Sequence, residues 1–200
     1  LIYDSGYFML SRNFRLQRIG NFDWLKKNYN FDQIAYYIDE LIVLDVTRNN
    51  RDINQFCSIL KDLTARCFVP ISSGGGIRSL NDANKLLRSG ADKVIVNTIL
   101  FENYNLVENL SKHFGKQCLV GSVDLKKNIS NRYEIFTESG NKAVIKDIKY
   151  FFQNISDYPV GEVLLSSIDK DGTGQGYDLD ILSLLPKNFP LPVILSGGVG

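Results

Sequence analysis

FVPISSGGGI, residues 68–77, and LPVILSGGVG, residues 191–200, are similar segments in which an apolar run ends in glycines. ELIVLD, residues 40–45, and EVLLSS, residues 162–167, form a second similar pair. Aligning Gly74 with Gly197 gives an offset of 197 − 74 = 123 residues, and aligning Glu40 with Glu162 gives 162 − 40 = 122. Two strand motifs repeated at nearly one spacing predict a half of about 120 residues that occurs twice. Two such halves make a (β/α)8 TIM barrel, with a doubly wound open sheet as the alternative.

Short apolar runs alternate with amphipathic stretches along the chain. The patterns predict strands at 40–46, 68–75, 92–98, 117–127, 162–169 and 192–200, helices at 47–63, 79–90, 102–115, 143–155 and 178–186, and a hairpin at 132–141. Ser79 with Asp82 is typical of a helix start, and Gly90 of a helix end. Because no linker interrupts the alternation, we expect one α/β barrel domain over residues 1–200. The series lacks an initiator methionine and an eighth βα unit, so we expect a truncation at both ends.

Composition excludes several classes of function. The formal net charge of +1 gives no general reason to expect nucleic acid or a membrane surface as partner. No apolar stretch approaches the ~20 residues of a membrane helix, and the chain does not open on a secretory signal. Cys57, Cys67 and Cys118 have no metal-binding spacing, which predicts free thiols in a reducing cytoplasm and no metal or other cofactor. His113 is interpreted as a residue of a helix C-terminus, not as a catalyst.

Polar residues and glycines gather where the predicted strands end. Barrel enzymes carry their sites at these carboxyl ends. The candidate substrate-binding and catalytic residues are Asp45, Gly75, Gly76, Asn97, Thr98, Asp124, Ser166, Asp171, Gly172, Thr173, Ser196, Gly197 and Gly198. Glycine turns let backbone N–H groups approach an anion, so the two glycine segments predict two phosphate cradles related by the repeat. The alternative is that the glycines only permit tight turns.

Asp124 ends the apolar run CLVGSVD and is a candidate general acid or base. Partial burial would raise its pKa toward neutrality, where a carboxyl group can both take and give a proton. The alternative is a carboxylate that caps a helix or pairs with Lys126 or Lys127. Asp45 is open to the same two interpretations.

Charged residues also mark the beginnings of alternate strands. Glu40, Lys93 and Glu162 directly precede or open the apolar runs of the strands predicted at 40–46, 92–98 and 162–169, which are alternate strands of the series. Alternate strands of a barrel contribute to one interior layer, so these residues predict a charged layer at the base. Such a layer is costly unless its members pair, and ordinary solvated flanking residues are the alternative.

These motifs together resemble the HisF family of cyclase subunits of imidazole glycerol phosphate synthase. The resemblance covers nearly the whole chain and is most specific in DELIVLDVT, SSGGGIRS, GADKVIVNT, VDLKK, FTESG, LLSSIDKDGTGQGYD and LPVILSGGVG. It implies a (β/α)8 barrel that takes ammonia from a HisH-type glutaminase. The ammonia is used on a phosphorylated substrate, a phosphoribulosyl formimino ribonucleotide, in histidine biosynthesis.

The resemblance also implies roles for residues. Gly76, Asn97 and Thr98 match positions that hold one substrate phosphate, and Asp171, Gly172, Thr173 and Gly198 match positions around the other. Asp124 matches a catalytic aspartate, and Asp45 and Ser196 match further site positions. Glu40, Lys93 and Glu162 match three of four residues that gate ammonia entry, the fourth being an arginine that would precede Leu1. Asp92 matches a residue that faces the glutaminase.

The first strand departs from the family pattern. Asp4-Ser5-Gly6 best matches the family's turn, which places Ile2 where the first catalytic aspartate belongs; a second register places Leu10 there. The family's nearby lysine is replaced by Leu10 or displaced to Arg18. Neither aliphatic side chain can transfer a proton.

Three alternatives to the histidine-pathway cyclase follow from this departure and from the shared repeat. HisF-like paralogues thought to supply ammonia for acetamidino sugars of surface polysaccharides resemble this pattern. A catalytically dead barrel that activates a glutaminase is a second alternative. The related sugar isomerase HisA is a third, and the charged triad and the FTESG segment speak against it.

Overall fold

The computed structural model describes residues 1–144 and 147–199, apart from the side chain of Asp32. The chain divides into two compact units, residues 1–10 with 16–95 and residues 11–15 with 96–200. The strands are β1 (Ile2–Asp4), β2 (Tyr7–Arg12), β3 (Arg15–Gly20), β4 (Leu41–Asp45), β5 (Ile71–Gly74), β6 (Lys93–Val96), β7 (Leu119–Lys127), β8 (Tyr133–Thr137), β9 (Lys142–Ala143), β10 (Glu162–Ser167) and β11 (Val193–Ser196). The α-helices are α1 (Phe22–Asn28), α2 (Phe31–Ile34), α3 (Ile53–Thr64), α4 (Leu80–Arg88), α5 (Thr98–Glu102), α6 (Tyr104–Phe114) and α7 (Ile148–Asn154).

The first unit has a parallel sheet that opens on a hairpin. β1 and β2 pair antiparallel around Ser5 and Gly6, whose φ angles of 48° and 91° suit a two-residue turn. β1 runs parallel to β4, β4 to β5, and β5 to β6. The carboxyl ends of β1, β4 and β5 therefore lie at one edge of this sheet.

One face of this sheet is covered by α3. Tyr3 lies opposite Asp45 in the register of β1 and β4, and residues in register share a face. The Tyr3 ring lies 5.2 Å from the ring of Phe56 on α3, and Leu60 and Leu63 of the same helix are fully buried. Asp45 therefore lies on the face that packs against α3.

The second unit is built on parallel strands with an antiparallel extension. β10 runs parallel to both β7 and β11, while β8 pairs antiparallel with β7 and β9. Every residue of β7 from Leu119 to Leu125 is buried. On the helices, Phe101 and Phe151 pack with ring centroids 5.1 Å apart. Strands alternating with helices, as predicted, are present in both units.

Several predicted boundaries agree with the structure, and the start of α4 is an example. The Asp82 backbone N–H donates to Ser79 Oγ (3.2 Å), and Ser79 Oγ donates to Asp82 Oδ2 (2.8 Å), which is the predicted capping arrangement. Gly90 follows the helix end with a φ of 103°. His113 lies in the last turn of α6, as predicted. The predicted hairpin after β7 is present as β8 and the short β9.

Other predicted elements were wrong in extent or type. The helix predicted at 143–155 begins at Ile148, because Ala143 pairs with Phe136 in the sheet; residues 145 and 146 lie outside the described residues. The segment predicted as a helix at 178–186 is a 3-10 helix over Leu179–Leu184. The helix predicted at 102–115 is present as α6 and begins two residues later, at Tyr104, because Asn103 ends α5 and caps α6 through a bond from the Leu106 N–H.

The structure also corrects the alignment of the repeat. β5 ends at Gly74 and β11 ends at Ser196, and the positive φ angles begin at Gly75 (111°) and Gly197 (99°). The equivalent residues are therefore Gly75 and Gly197, an offset of 197 − 75 = 122 residues. This is the offset of the other motif pair, so both pairs follow one spacing.

Across the residues that the structure describes, no helix has the length and apolar character required to cross a bilayer.

Candidate active site

Asp124 lies in the buried part of β7 in a row of polar side chains. Ser166 of β10 is opposite Asp124, and Ser196 of β11 is opposite Ser166. Residues in register on neighbouring parallel strands project from the same face. Asp124 and Ser166 are each 9% exposed, whereas Ser196 is exposed. The structure thus brings three of the predicted site residues together near the carboxyl ends of three strands.

The carboxyl group of Asp124 has an unusual protonation equilibrium. Burial raises the pKa of Asp124 from 3.8 to about 7, opposed by a hydrogen bond from Asn97 and assisted by the negative charge of Asp171. Asn97 Nδ2 donates to Asp124 Oδ2 (3.1 Å) and to the Ser122 carbonyl (3.1 Å). Both the protonated and the ionised form of Asp124 are therefore accessible near neutral pH, the condition that suits a proton-transfer residue.

The alternative interpretations of Asp124 were wrong. Lys127 forms an ion pair with Asp180 (3.2 Å), and Lys126 Nζ lies 6.0 Å from the centroid of the Phe136 ring. Asp124 is inside a strand and does not cap a helix. Within residues 1–144 and 147–199, its side chain takes its hydrogen bond from Asn97.

The loop after β10 is held by the turn that joins β2 and β3. Asp171 Oδ2 accepts from Ser11 Oγ (2.5 Å) and from the Phe14 N–H (3.0 Å). Asn13 adds a bond from its N–H to the Asp171 carbonyl (2.9 Å). A side chain at Gly172, where φ is 66°, would overlap the backbone of Ser11. Asp171 and Gly172, predicted as phosphate contacts, therefore fix this loop against the 11–14 turn.

The same loop also lies against the glycine turn after β11. The Gly176 N–H donates to the Gly198 carbonyl (2.7 Å), and a side chain at Gly198 would overlap Gly176. Thr173 Oγ1 donates to the Lys170 carbonyl (2.7 Å), which leaves its oxygen lone pairs as acceptors. Gly197 packs against the Ser167 carbonyl. The predicted second glycine cradle is thus assembled around residues 167–176.

In the first unit, Asp45 is the last residue of β4 and lies beside Arg51. Asp45 is 1% exposed, and burial raises its pKa, opposed by Thr47 and by the Arg51 cation. Asp45 Oδ1 accepts from the Thr47 N–H (2.9 Å), and Thr47 Oγ1 accepts from the Ser5 N–H (2.9 Å). These contacts tie the β1–β2 hairpin to the loop after β4, so the geometry gives Asp45 a structural role.

The first glycine turn lies against both Asp45 and Arg51. Gly75 has a φ of 111°, and a side chain there would overlap the backbone of Asp45. Gly76 has a φ of 63°, and a side chain there would overlap the guanidinium of Arg51. The glycines are thus required by positive φ and by close approach of other groups.

Charged residues meet at the opposite ends of the strands of the first unit. Lys93 Nζ forms an ion pair with Glu40 Oε2 (2.9 Å), with side chains that are 22% and 25% exposed. Ser72 Oγ donates to Glu40 Oε1. Asp92 Oδ2 accepts from the Ile71 N–H (2.8 Å). In the second unit, Glu162 begins β10 opposite Val120.

Sequence reasoning missed Arg51, Ser11 and Thr47. Arg51 is in the polar stretch TRNNRD, which was wrongly predicted as the start of the helix at 47–63, since α3 begins at Ile53 after the Asp52 cap. The pattern therefore gave no local signal of a contact with Gly76. Ser11 contacts a residue 160 positions away in the chain. Among the described residues, the three cysteines are free thiols, with Cys57 and Cys67 buried and Cys118 partly exposed.

Comparison with known proteins gives one family. The model of the family described as "Histidine biosynthesis protein" matches residues 27–200. The "Putative imidazole glycerol phosphate synthase subunit hisF2" of Parasynechococcus marenigrum is 45% identical over 200 residues, 100% of this chain and 74% of that protein. The HisF subunit of Legionella pneumophila is 39% identical over 86% of this chain and 83% of its own length. That of Sulfolobus acidocaldarius is 40% identical over 81% and 65%, respectively.

An α/β fold with mostly parallel strands, and with polar residues and glycine turns at their carboxyl ends, is the architecture of the TIM-barrel class, so the predicted fold class is confirmed. The chain belongs to the histidine biosynthesis protein family and is HisF-like within it.

Proposed function

We propose that the chain is a HisF-type lyase subunit of imidazole glycerol phosphate synthase, which uses ammonia on a phosphorylated substrate with Asp124 as its proton-transfer group. The observation that carries this proposal is the buried Asp124 carboxyl, whose pKa of about 7 lies near the working pH of a cytoplasmic enzyme. HisF relatives at 39% and 40% identity support the reaction class. The cytoplasm is part of the proposal and is supported by the free cysteines.

The substrate's phosphates are proposed to bind at the two glycine turns. In the first unit these are the N–H groups around Gly75 and Gly76. In the second they are those around Gly172, Gly197 and Gly198, with the Thr173 hydroxyl turning from the Lys170 carbonyl to the phosphate when substrate binds. All five glycines have positive φ, and turns with residues in this conformation can present backbone N–H groups to an anion. Asn97 and Thr98, at the start of α5 in the second unit, are proposed as further substrate-binding residues. Ser166 and Ser196 are proposed to face substrate beside Asp124.

The Glu40–Lys93 ion pair is proposed as part of the ammonia entrance, and Glu162 is proposed for the same role. Asp92 is proposed as part of the face toward a HisH-type glutaminase. The pair supports this because it is only half buried, at the strand ends opposite those of Asp45 and the first glycine turn. Asp92 is exposed and next to Lys93 in sequence.

Lys93→Met is expected to lower glutamine-dependent turnover about tenfold, the effect of one charge-assisted hydrogen bond. Turnover with saturating ammonium salt should remain nearly unchanged, because ammonia then need not pass from the glutaminase. The measurement is a pair of steady-state assays with the purified glutaminase complex. Lys61→Met, at an exposed position on α3, is the matched control and should change neither rate. Equal losses in both assays would contradict the entrance role.

A second candidate function rests on Ile2. Ile2 lies on β1 opposite Leu44, and the hairpin turn at Ser5-Gly6 supports the register that matches Ile2 to the family's first catalytic aspartate. Leu10, in the other register, is on β2 and 57% exposed. An isoleucine in place of the first catalytic aspartate removes one proton-transfer group, which favours a simpler ammonia transfer, such as formation of an acetamidino group on a sugar.

Complementation of a strain that lacks HisF separates these functions. Growth without histidine is the expected result for the cyclase and would refute both the sugar-modifying and the catalytically dead alternatives. Failure to grow, combined with formation of an amidinated sugar, would establish the second candidate. Failure to grow, with glutaminase stimulation but no amidinated sugar, would establish a dead barrel.

A further inference from the structure

Arg51 is held rigidly in the loop between β4 and α3. Its Nε donates to the Thr47 carbonyl (3.1 Å), and its Nη2 donates to the carbonyls of Thr47 (2.5 Å) and Asp45 (3.1 Å). The side chain is 23% exposed. A guanidinium fixed by three bonds to backbone carbonyls loses little further freedom when it binds a ligand.

The remaining donors of Arg51 lie against the first glycine turn. Nη1 carries two N–H groups, and no acceptor for them is present among the residues that the structure describes. Nη1 is also the atom that a side chain at Gly76 would overlap first. Two unused donors of a cation are thus placed against the turn at Gly76.

Arg51 and Asp45 form an ion pair, with Nε and Asp45 Oδ2 3.3 Å apart. Oδ2 has no hydrogen-bond donor among the described residues, so the two groups attract by charge alone. The ion pair is made at Nε, whereas the unused donors of Arg51 are on Nη1.

The second unit has a comparable arrangement. Lys170, in the loop after β10, packs its Cβ against the position that a side chain at Gly198 would take. In both units, a basic residue that follows one strand approaches the glycine turn that follows the next. The contact in the second unit is made by the Lys170 Cβ and not by its ammonium group, so of these two basic residues only Arg51 places its charged group against a glycine turn.

We infer that Arg51 is an anion-binding residue, whose Nη1 donors and the turn at Gly75–Gly76 together bind a phosphate monoester of the substrate. The inference deepens the proposed function and rests on it only for the identity of the substrate. The competing interpretation is that Arg51 only stabilises the loop after β4, through its hydrogen bonds to the Thr47 and Asp45 carbonyls.

Binding of inorganic phosphate to the whole chain tests the inference without any turnover. The probe is phosphate, titrated at constant ionic strength while the amide signals of Gly75 and Gly76 are followed by NMR. We expect Arg51→Gln to weaken phosphate binding at these amides by roughly 10–100-fold, the effect of a lost charge-assisted contact. Arg51→Lys keeps the charge without the paired donors and should give an intermediate loss. Arg48→Gln, at an exposed position in the same loop, is the matched control and should bind like the unchanged protein.

Thermal unfolding separates binding from a structural role. If Arg51 only stabilises its loop, Arg51→Gln will lower the melting temperature while the amides of Gly75 and Gly76 still titrate with the same phosphate affinity, and the inference is overturned. It is also overturned if phosphate leaves these amides unshifted in the unchanged protein. A normal phosphate titration together with failed complementation would leave the inference standing and refute the proposed cyclase.

Discussion

Replacing Asp124 by asparagine is expected to lower ammonia-dependent turnover by about 10²–10⁴-fold, the usual contribution of a positioned acid or base. Asparagine has nearly the same shape and can still accept from Asn97 through its carbonyl oxygen, so the loss would come from the missing proton transfer. The measurement is turnover per folded enzyme with ammonium salt as the nitrogen source. Asp62→Asn, at an exposed position on α3, is the control and should keep full activity.

The same substitution is expected to stabilise the protein at high pH. The pKa of Asp124 is raised by burial to about 7, so the folded chain holds this proton more tightly than the unfolded chain, where the pKa is 3.8. The contribution of this group to stability is therefore full below about pH 4 and is lost as pH rises toward 7. The asparagine side chain of the variant does not ionise, so the gain in unfolding free energy over the unchanged protein should be about 2–3 kcal/mol greater at pH 8 than at pH 5.

Urea unfolding at the two pH values measures this gain. Loss of activity together with a gain of stability would identify Asp124 as a residue retained for chemistry and not for folding. A variant that loses activity and is equally destabilised at pH 5 and pH 8 would contradict the account of Asp124.

Gly75→Ala is expected to destabilise the first unit by more than about 3 kcal/mol. The substitution places a side chain at a φ of 111°, which costs about 1 kcal/mol or more, and drives the new methyl group into the backbone of Asp45. Backbone cannot move aside as a flexible side chain can, so the loop after β4 or the turn itself must shift. The measurement is the urea midpoint of the purified variant.

Gly176→Ala is the matched control for this substitution. Gly176 has a φ of 85°, but a methyl group there would meet no atom within 4 Å. Gly176→Ala should therefore lower the unfolding free energy only by the cost of a side chain at positive φ, about 1 kcal/mol. Equal destabilisation by the two substitutions would show that the approach of Asp45 to Gly75 has no energetic weight.

Local patterns predicted the elements well where their causes are local. The start of α4 could be predicted because Ser79 and Asp82 cap it within one turn. The start of α7 could not, because the chain before it pairs with β8 through Ala143 and Phe136, a contact that helical periodicity does not encode. The 3-10 geometry of Leu179–Leu184 likewise has no signal in its apolar spacing.

The candidate site was predictable to the same degree. The burial of Asp124 followed from its place at the end of an apolar strand, and the glycine turns followed from their sequence. The hydrogen-bond partners of these groups could not be predicted from local sequence, because Asn97 and Asp124 are 27 positions apart and Ser11 and Asp171 are 160 apart. Asp171 was predicted to contact phosphate, yet its carboxylate accepts from the 11–14 turn, a contact that only the fold reveals.

The most direct test of this account is the titration of the Asp124 carboxyl carbon by ¹³C NMR in the whole chain, with the signal assigned from Asp124→Asn. The account predicts a midpoint near pH 7, raised by burial between β7 and its neighbours. A midpoint near pH 4, that of a solvated aspartate, would contradict it.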